Sequence, residues 1–152
     1  MPAPVEFTQA NFAKFVKQVE GQIRKAGFAI LLGVQDAVHE PSGLRMNQIA
    51  AIHEYGTADG RVPARAPFAK TMAIHRNKYR DAIKRATKHI LQTNTFAAPE
   101  RIGLAAVGDV QQSISAGLAP ALKPATVAAK GSSTPLVDTG KFRQSITHKV
   151  IR

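Results

Sequence analysis

Apolar residues along 8–26, TQANFAKFVKQVEGQIRKA, recur as Phe12, Phe15, Val16, Val19 and Ile23, at spacings of three and four that give a helix one buried face. Thr8 or Asn11 can cap that helix and Gly27 can end it. The following run, FAILLGV at 28–34, is short, apolar and punctuated on both sides, so it predicts a central strand. Pro41, Ser42 and Gly43 then mark a turn or hairpin loop.

The stretch IAAIHEYGTADGRVPARAPF at 49–68 raises the first functional question. Asn47 is placed to cap a short helix that stops at Gly56. Residues 57–66 read as a loop, and Pro67 suits the first position of a new helix, where a missing N–H costs nothing. That new helix, about 67–92, has the strongest periodicity in the chain. Met72, Tyr79, Ile83, Ala86 and Ile90 share one arc, and Lys70, Lys78, Lys84, Arg85 and Lys88 lie opposite. A further helix from Pro99 to about Gly117 uses Ile102, Ala106, Val110 and Ile114; Gly103 and Gly108 weaken it but allow close packing.

The tail opens with prolines and predicts an extended, exposed arm at about 118–135. Thr139 can cap a short helix through Ser145, and 146–151 alternates apolar with polar as a half-buried strand does. The pattern as a whole predicts an α+β fold. A small mixed or antiparallel sheet, holding 28–34 and the C-terminal strand, is packed by the long amphipathic helix and further helices, with extended loop arms.

Composition narrows the chemistry. The 152 residues fit one domain spanning 1–152, and 44% hydrophobic content supports a packed core. Lys and Arg number 21 against 10 Asp and Glu, a net +11 that favours polyanions or acidic protein surfaces. With no cysteine, disulfides, thiolate metal sites and thiol catalysis are excluded. No stretch reads as a leader or membrane span, so a soluble protein made in the cytoplasm is expected.

The catalytic temptations fail on spacing. His53-Glu54 resembles the start of a zinc-protease helix, but the residue four positions after His53 is Thr57, where a second histidine is needed. His39, His75, His89 and His148 show no ligand spacing. LVDTG at 136–140 resembles the loop of retroviral-type aspartic proteases, yet only 12 residues follow and most of what precedes is helical. Asp138 and Thr139 read instead as caps of the short helix that follows. No phosphate-binding glycine loop or nucleophile elbow occurs, and no enzyme is expected, nor any metal, cofactor or small molecule.

Three patterns carry a resemblance. The first is Ile52-His53-Glu54-Tyr55-Gly56-Thr57, followed by Val62-Pro63-Ala64-Arg65-Ala66-Pro67-Phe68 leading into a long helix. The second is Lys123-Pro124-Ala125-Thr126 with Lys130-Gly131. The third is Thr134-Pro135-Leu136-Val137-Asp138-Thr139-Gly140-Lys141-Phe142 with Ser145-Ile146. In this order the chain resembles the tail-completion or neck proteins of tailed phages, including virion-morphogenesis proteins of Mu-like phages. The likeness covers most of 45–147 and departs from the family pattern by inserting Ala66 between Arg65 and Pro67.

The resemblance implies a structural virion protein, assembled in the host cytoplasm and located at the junction of head and tail, which completes or attaches the tail. Its implied partners are copies of itself in a ring, a hexamer first, and the neighbouring neck, connector and tail-tube or terminator proteins, with genomic DNA in the channel as a further contact. Interface candidates are Tyr55, Arg61, Arg65, Phe68, Lys130, Leu136 and Asp138. Lys70, Lys78, Lys84, Arg85 and Lys88 are candidates for facing DNA or an acidic partner. Solvation alone also explains such a lysine-rich face, and Arg65 has an alternative role as an internal partner of Glu54. The competing function is a basic nucleic-acid-binding module with no virion role.

Overall fold

Two strands from opposite halves of the chain make the main sheet. In the computed structural model, which describes residues 13–14, 16–18, 27–39, 42–93, 95–131 and 140–152, β1 (Ala29–Val34) pairs antiparallel with β4 (Ile146–Ile151). The register runs from Ala29 opposite Ile151 to Val34 opposite Ile146. A second pair, β2 (Val38–His39) and β3 (Leu44–Arg45), closes around the predicted turn at Ser42 and Gly43. Residues 13, 14 and 16–18 are helical, which agrees with the pattern there; the caps expected at Thr8 and Asn11 lie outside the described residues.

The helices follow as α1 (Met46–Tyr55), α2 (Pro67–Ile74), α3 (Arg76–Thr93), α4 (Ala97–Ala116), α5 (Pro124–Lys130) and α6 (Lys141–Ser145). The fold is α+β, as the alternation of patterns indicated. Arg45, not Asn47, stands at the cap of α1: its backbone N–H donates to Gln48 Oε1 at 2.9 Å, and Asn47 is already inside the helix and exposed.

The long periodic segment is two helices. His75 breaks it with φ −96° and ψ 12°, although hydrogen bonds continue on both sides, from His75 N–H to Thr71 O and from Tyr79 N–H to His75 O, each 3.1 Å. The helix that packs across β1 and β4 is α4, and the basic helix α3 packs on α4 instead. The expectation that the longest amphipathic segment would lie on the sheet is therefore corrected. Steric fit gives the reason: α4 presents small residues to the strands. Gly103 lies so close to β4 that an added Cβ would stand 2.2 Å from the His148 ring.

The core follows from that contact. Val110 and Ile114 of α4 are fully buried with Val107, Met46, Phe142 and Ile146, and Leu32, Val34, Phe68 and Met72 pack against them. Each fully buried aliphatic side chain contributes about 1.5–3 kcal/mol relative to exposure. Ile83, placed by its spacing on the buried arc, is 40% exposed; among the described elements α3 packs chiefly on α4.

The expected extended arm contains a helix. Pro124 at the first position and Ala125, Ala128 and Ala129 within favour α5, and Gly131 ends it in a left-handed conformation with φ 66°. Gly131 N–H donates to Val127 O at 2.9 Å. Ile146–Ile151 forms the strand its alternation indicated, and α6 precedes it directly.

Candidate functional site

The stretch at 53–69 is cross-braced from both ends. In the last turn of α1 the His53 carbonyl accepts from the backbone N–H groups of Arg65, at 2.9 Å, and Ala66, at 3.1 Å. The Glu54 carboxylate accepts from Phe68 N–H at 3.0 Å and Ala69 N–H at 2.9 Å. These are two of the N–H groups that a helix leaves unpaired at its start, and a carboxylate there also meets the positive end of the α2 dipole. Pro67, at the first position, has no N–H to satisfy. The His53 ring packs on Phe142 of α6 with centroids 5.6 Å apart. His53-Glu54 thus joins α1 to α2 through the His53 carbonyl, the Glu54 carboxylate and the backbone N–H groups they accept from.

The loop closes on itself beneath this brace. Thr57 N–H donates to Val62 O at 2.9 Å, Val62 N–H to Thr57 Oγ1 at 3.0 Å and Gly60 N–H to Thr57 O at 2.9 Å. Asp59 takes the Thr57 hydroxyl at 2.6 Å and Arg61 N–H at 3.0 Å, and these bonds hold its carboxyl below the usual aspartate range. Gly56 is obligatory: at φ 77° and ψ 179° it occupies a region open to glycine almost alone, and an added Cβ would meet Ala64 N at 2.8 Å and Val62 O at 2.9 Å. Ala66, just before α2, takes a left-handed φ of 47°.

The candidate interface residues separate. Arg65 is buried, 4% exposed, and its Nε donates to Pro120 O at 3.2 Å; burial pulls its guanidinium below its ordinary value. It is neither an exposed interface residue nor the partner of Glu54, whose carboxylate is used by α2. Phe68 is half-buried against the core, which corrects its placement as a surface contact. Tyr55, 56% exposed, and Arg61, whose side chain is 86% exposed and paired to Asp59 at 3.1 Å, remain on the surface. The Lys130 side chain, Leu136 and Asp138 lie outside the described residues, as does Thr139.

The basic face separates too. Lys70 Nζ donates to Ala119 O at 3.1 Å, so Lys70 and Arg65 together tether the chain leaving α4. Lys78 Nζ donates to Asp109 of α4 at 2.6 Å, and the Tyr79 hydroxyl donates to the same oxygen. Burial pushes the Asp109 carboxyl up, but the bonds from Lys78 and Tyr79 and the nearby charges of Lys78 and His75 outweigh it and hold it low. The Tyr79 hydroxyl moves up, through burial and the Asp109 carboxylate. Lys84, Arg85 and Lys88 are exposed and have no ion-pair partner among the described residues.

Comparison with protein-family models, with curated proteins and with solved structures finds no match to this chain.

Between α3 and α4 runs a solvent-open groove of about 380 Å³. Ala82 and Ala86 of α3 and Ala98, Ile102 and Ala105 of α4 line it with apolar atoms, and Arg85 and Arg101 stand on its two helices. Pattern reading missed Arg101 and the groove because α3 and α4 each read as a helix in isolation. The signal was present: alanines recur along both helices on the side that also carries an arginine. Among the described residues no cluster of His, Asp and Glu is arranged to hold a metal ion, and no helix is long and apolar enough to cross a membrane.

Proposed function

We propose that this chain is a structural protein of a tailed-phage virion, acting at the junction of head and tail to complete or attach the tail as a closed ring of identical copies. One observation carries the reading. The residues of its strongest family-like pattern, 52–57 and 62–68, are the residues that build the cross-braced joint. A pattern of that kind encodes a shape rather than a reaction, and a defined shape is what a joining protein contributes. A head-to-tail contact between copies closes into a ring when its rotation divides a full turn. Tyr55, at the end of α1, and Arg61, in the loop that follows, are exposed and suited to such a contact.

Deleting the gene from the phage that encodes it should leave full heads and separate tails in electron micrographs. Intact, infectious particles from the deletion would overturn the proposal. Arg61→Ala should impair joining while leaving the purified protein folded; Arg65→Ala is unsuited to that test, since Arg65 is internal.

A second reading, a nucleic-acid-binding module without a virion role, draws support from Lys84, Arg85 and Lys88, which are exposed and have no ion-pair partner among the described residues. It requires DNA affinity in the isolated protein that falls steeply with salt. Weak, salt-insensitive retention on DNA would eliminate it.

A further inference from the structure

We infer that the groove between α3 and α4 is a docking site for an acidic protein segment that inserts an apolar side chain between Arg85 and Arg101. The inference does not require the chain to form a ring, and the experiment below reads it separately.

Three observations converge on this partner. The floor is aliphatic: Ala82, Ala86, Ala98, Ile102 and Ala105 offer methyl groups, and Ile102 is only partly covered. Its volume, about 380 Å³, falls within the range of roughly 300–1,000 Å³ typical of ligand clefts.

The walls are cationic and uncompensated. Arg85 and Arg101 have no ion-pair partner among the described residues, whereas Lys78 at the groove's end is neutralised by Asp109. An arginine on each side of an apolar floor is matched by a segment with an apolar residue flanked by carboxylates, because guanidinium groups take carboxylates through paired donors.

Among the described residues, this chain offers no uncommitted carboxylate of its own to the groove. Every described acid is already engaged within its own chain: Asp36 by Arg45, Glu54 by the start of α2, Asp59 by Arg61, Asp81 by Arg80, Glu100 by His148 and Asp109 by Lys78. Nucleic acid matches the arginines but leaves the alanine-lined floor against a charged backbone, so the groove favours protein.

The test uses the purified full chain and three synthetic helical peptides: one with a central leucine flanked by glutamates, one with that leucine replaced by serine, and one with the glutamates replaced by lysine. A DNA duplex serves as the fourth probe. Nuclear magnetic resonance titration should show the Glu/Leu peptide perturbing Ala82, Ala98, Ile102 and Ala105. The serine and lysine peptides should bind more weakly by about tenfold or more, as should the parent peptide to the Arg85→Glu, Arg101→Glu double variant. Ala105→Trp, which fills the groove without altering charge, should also abolish binding. No binding of the Glu/Leu peptide, equal binding of the serine peptide, or tighter binding of DNA to the same residues would each overturn the proposal.

Discussion

Arginine stands both in the joint and on the groove, and the fold treats it in opposite ways. Arg65 is buried, with Nε on the Pro120 carbonyl, inside a region where His53 O and the Glu54 carboxylate are also occupied by backbone donors. Arg85 and Arg101 lie on an open groove with no acid to meet them among the described residues. The difference teaches how to separate structural polarity from available polarity. A charged side chain whose partners all lie within the chain holds the fold; one left facing an apolar surface has its chemistry still to offer. Three single substitutions and one pair can break or sharpen that contrast.

Gly56→Ala should have the largest effect. The glycine-only conformation costs about 1–3 kcal/mol for any other residue, and the contacts with Ala64 N and Val62 O are with backbone that cannot turn aside. Thermal unfolding should show a loss of about 3 kcal/mol or more, combining that strain with the clash. An unchanged midpoint would mean that the loop does not close on Gly56.

Asp109→Ala comes next, since it removes the acceptor shared by Lys78 and the buried Tyr79 hydroxyl, at a cost of about 1–3 kcal/mol. The pH dependence has a definite sign. The carboxyl ordinarily titrates at 3.8 and the fold holds it lower, so its stabilisation is complete above 3.8 and is lost as pH falls through the folded value. Denaturant midpoints of parent and variant should therefore draw together in acid. A gap that widened in acid would refute the clamp.

Glu54→Ala should cost about 1–2 kcal/mol through the uncapped start of α2. Amide hydrogen exchange should quicken at Phe68 and Ala69 before it changes in α4. Uniform quickening would show that Glu54 acts by some route other than the cap.

The two glycines of α4 should then move in opposite directions. Gly103→Ala forces the His148 ring away from the helix and from Glu100, costing about 1–2 kcal/mol. Gly108 has open space around it, so Gly108→Ala should stabilise by about 0.5–1 kcal/mol. A shared sign would remove the packing argument for α4 against β4.

Much of the fold was legible because it is written locally. The alternation at 146–151, the apolar run at 28–34 and Pro67 at a helix start lead directly to β4, β1 and the first residue of α2, whereas α5 lies in a stretch that read as an extended arm. What escaped acts across the chain. Glu54 caps a helix 14 residues later, and Arg65 bonds a carbonyl 55 residues away, so no short window shows either. The break at His75 escaped because periodicity runs through it unaltered. Gly103 read as a weak point that allows close packing, but not as the place where β4 comes close. The groove needed α3 and α4 side by side before Arg101 had a meaning.

The contrast between the joint and the groove is tested most directly by the urea midpoint of the full chain carrying Arg85→Glu and Arg101→Glu together. If these arginines support no internal contact, stability should stay within about 0.5 kcal/mol of the parent, or rise slightly as crowded positive charge on α3 is relieved. A loss comparable to that of Glu54→Ala would contradict the account, because it would make the groove's arginines part of the fold.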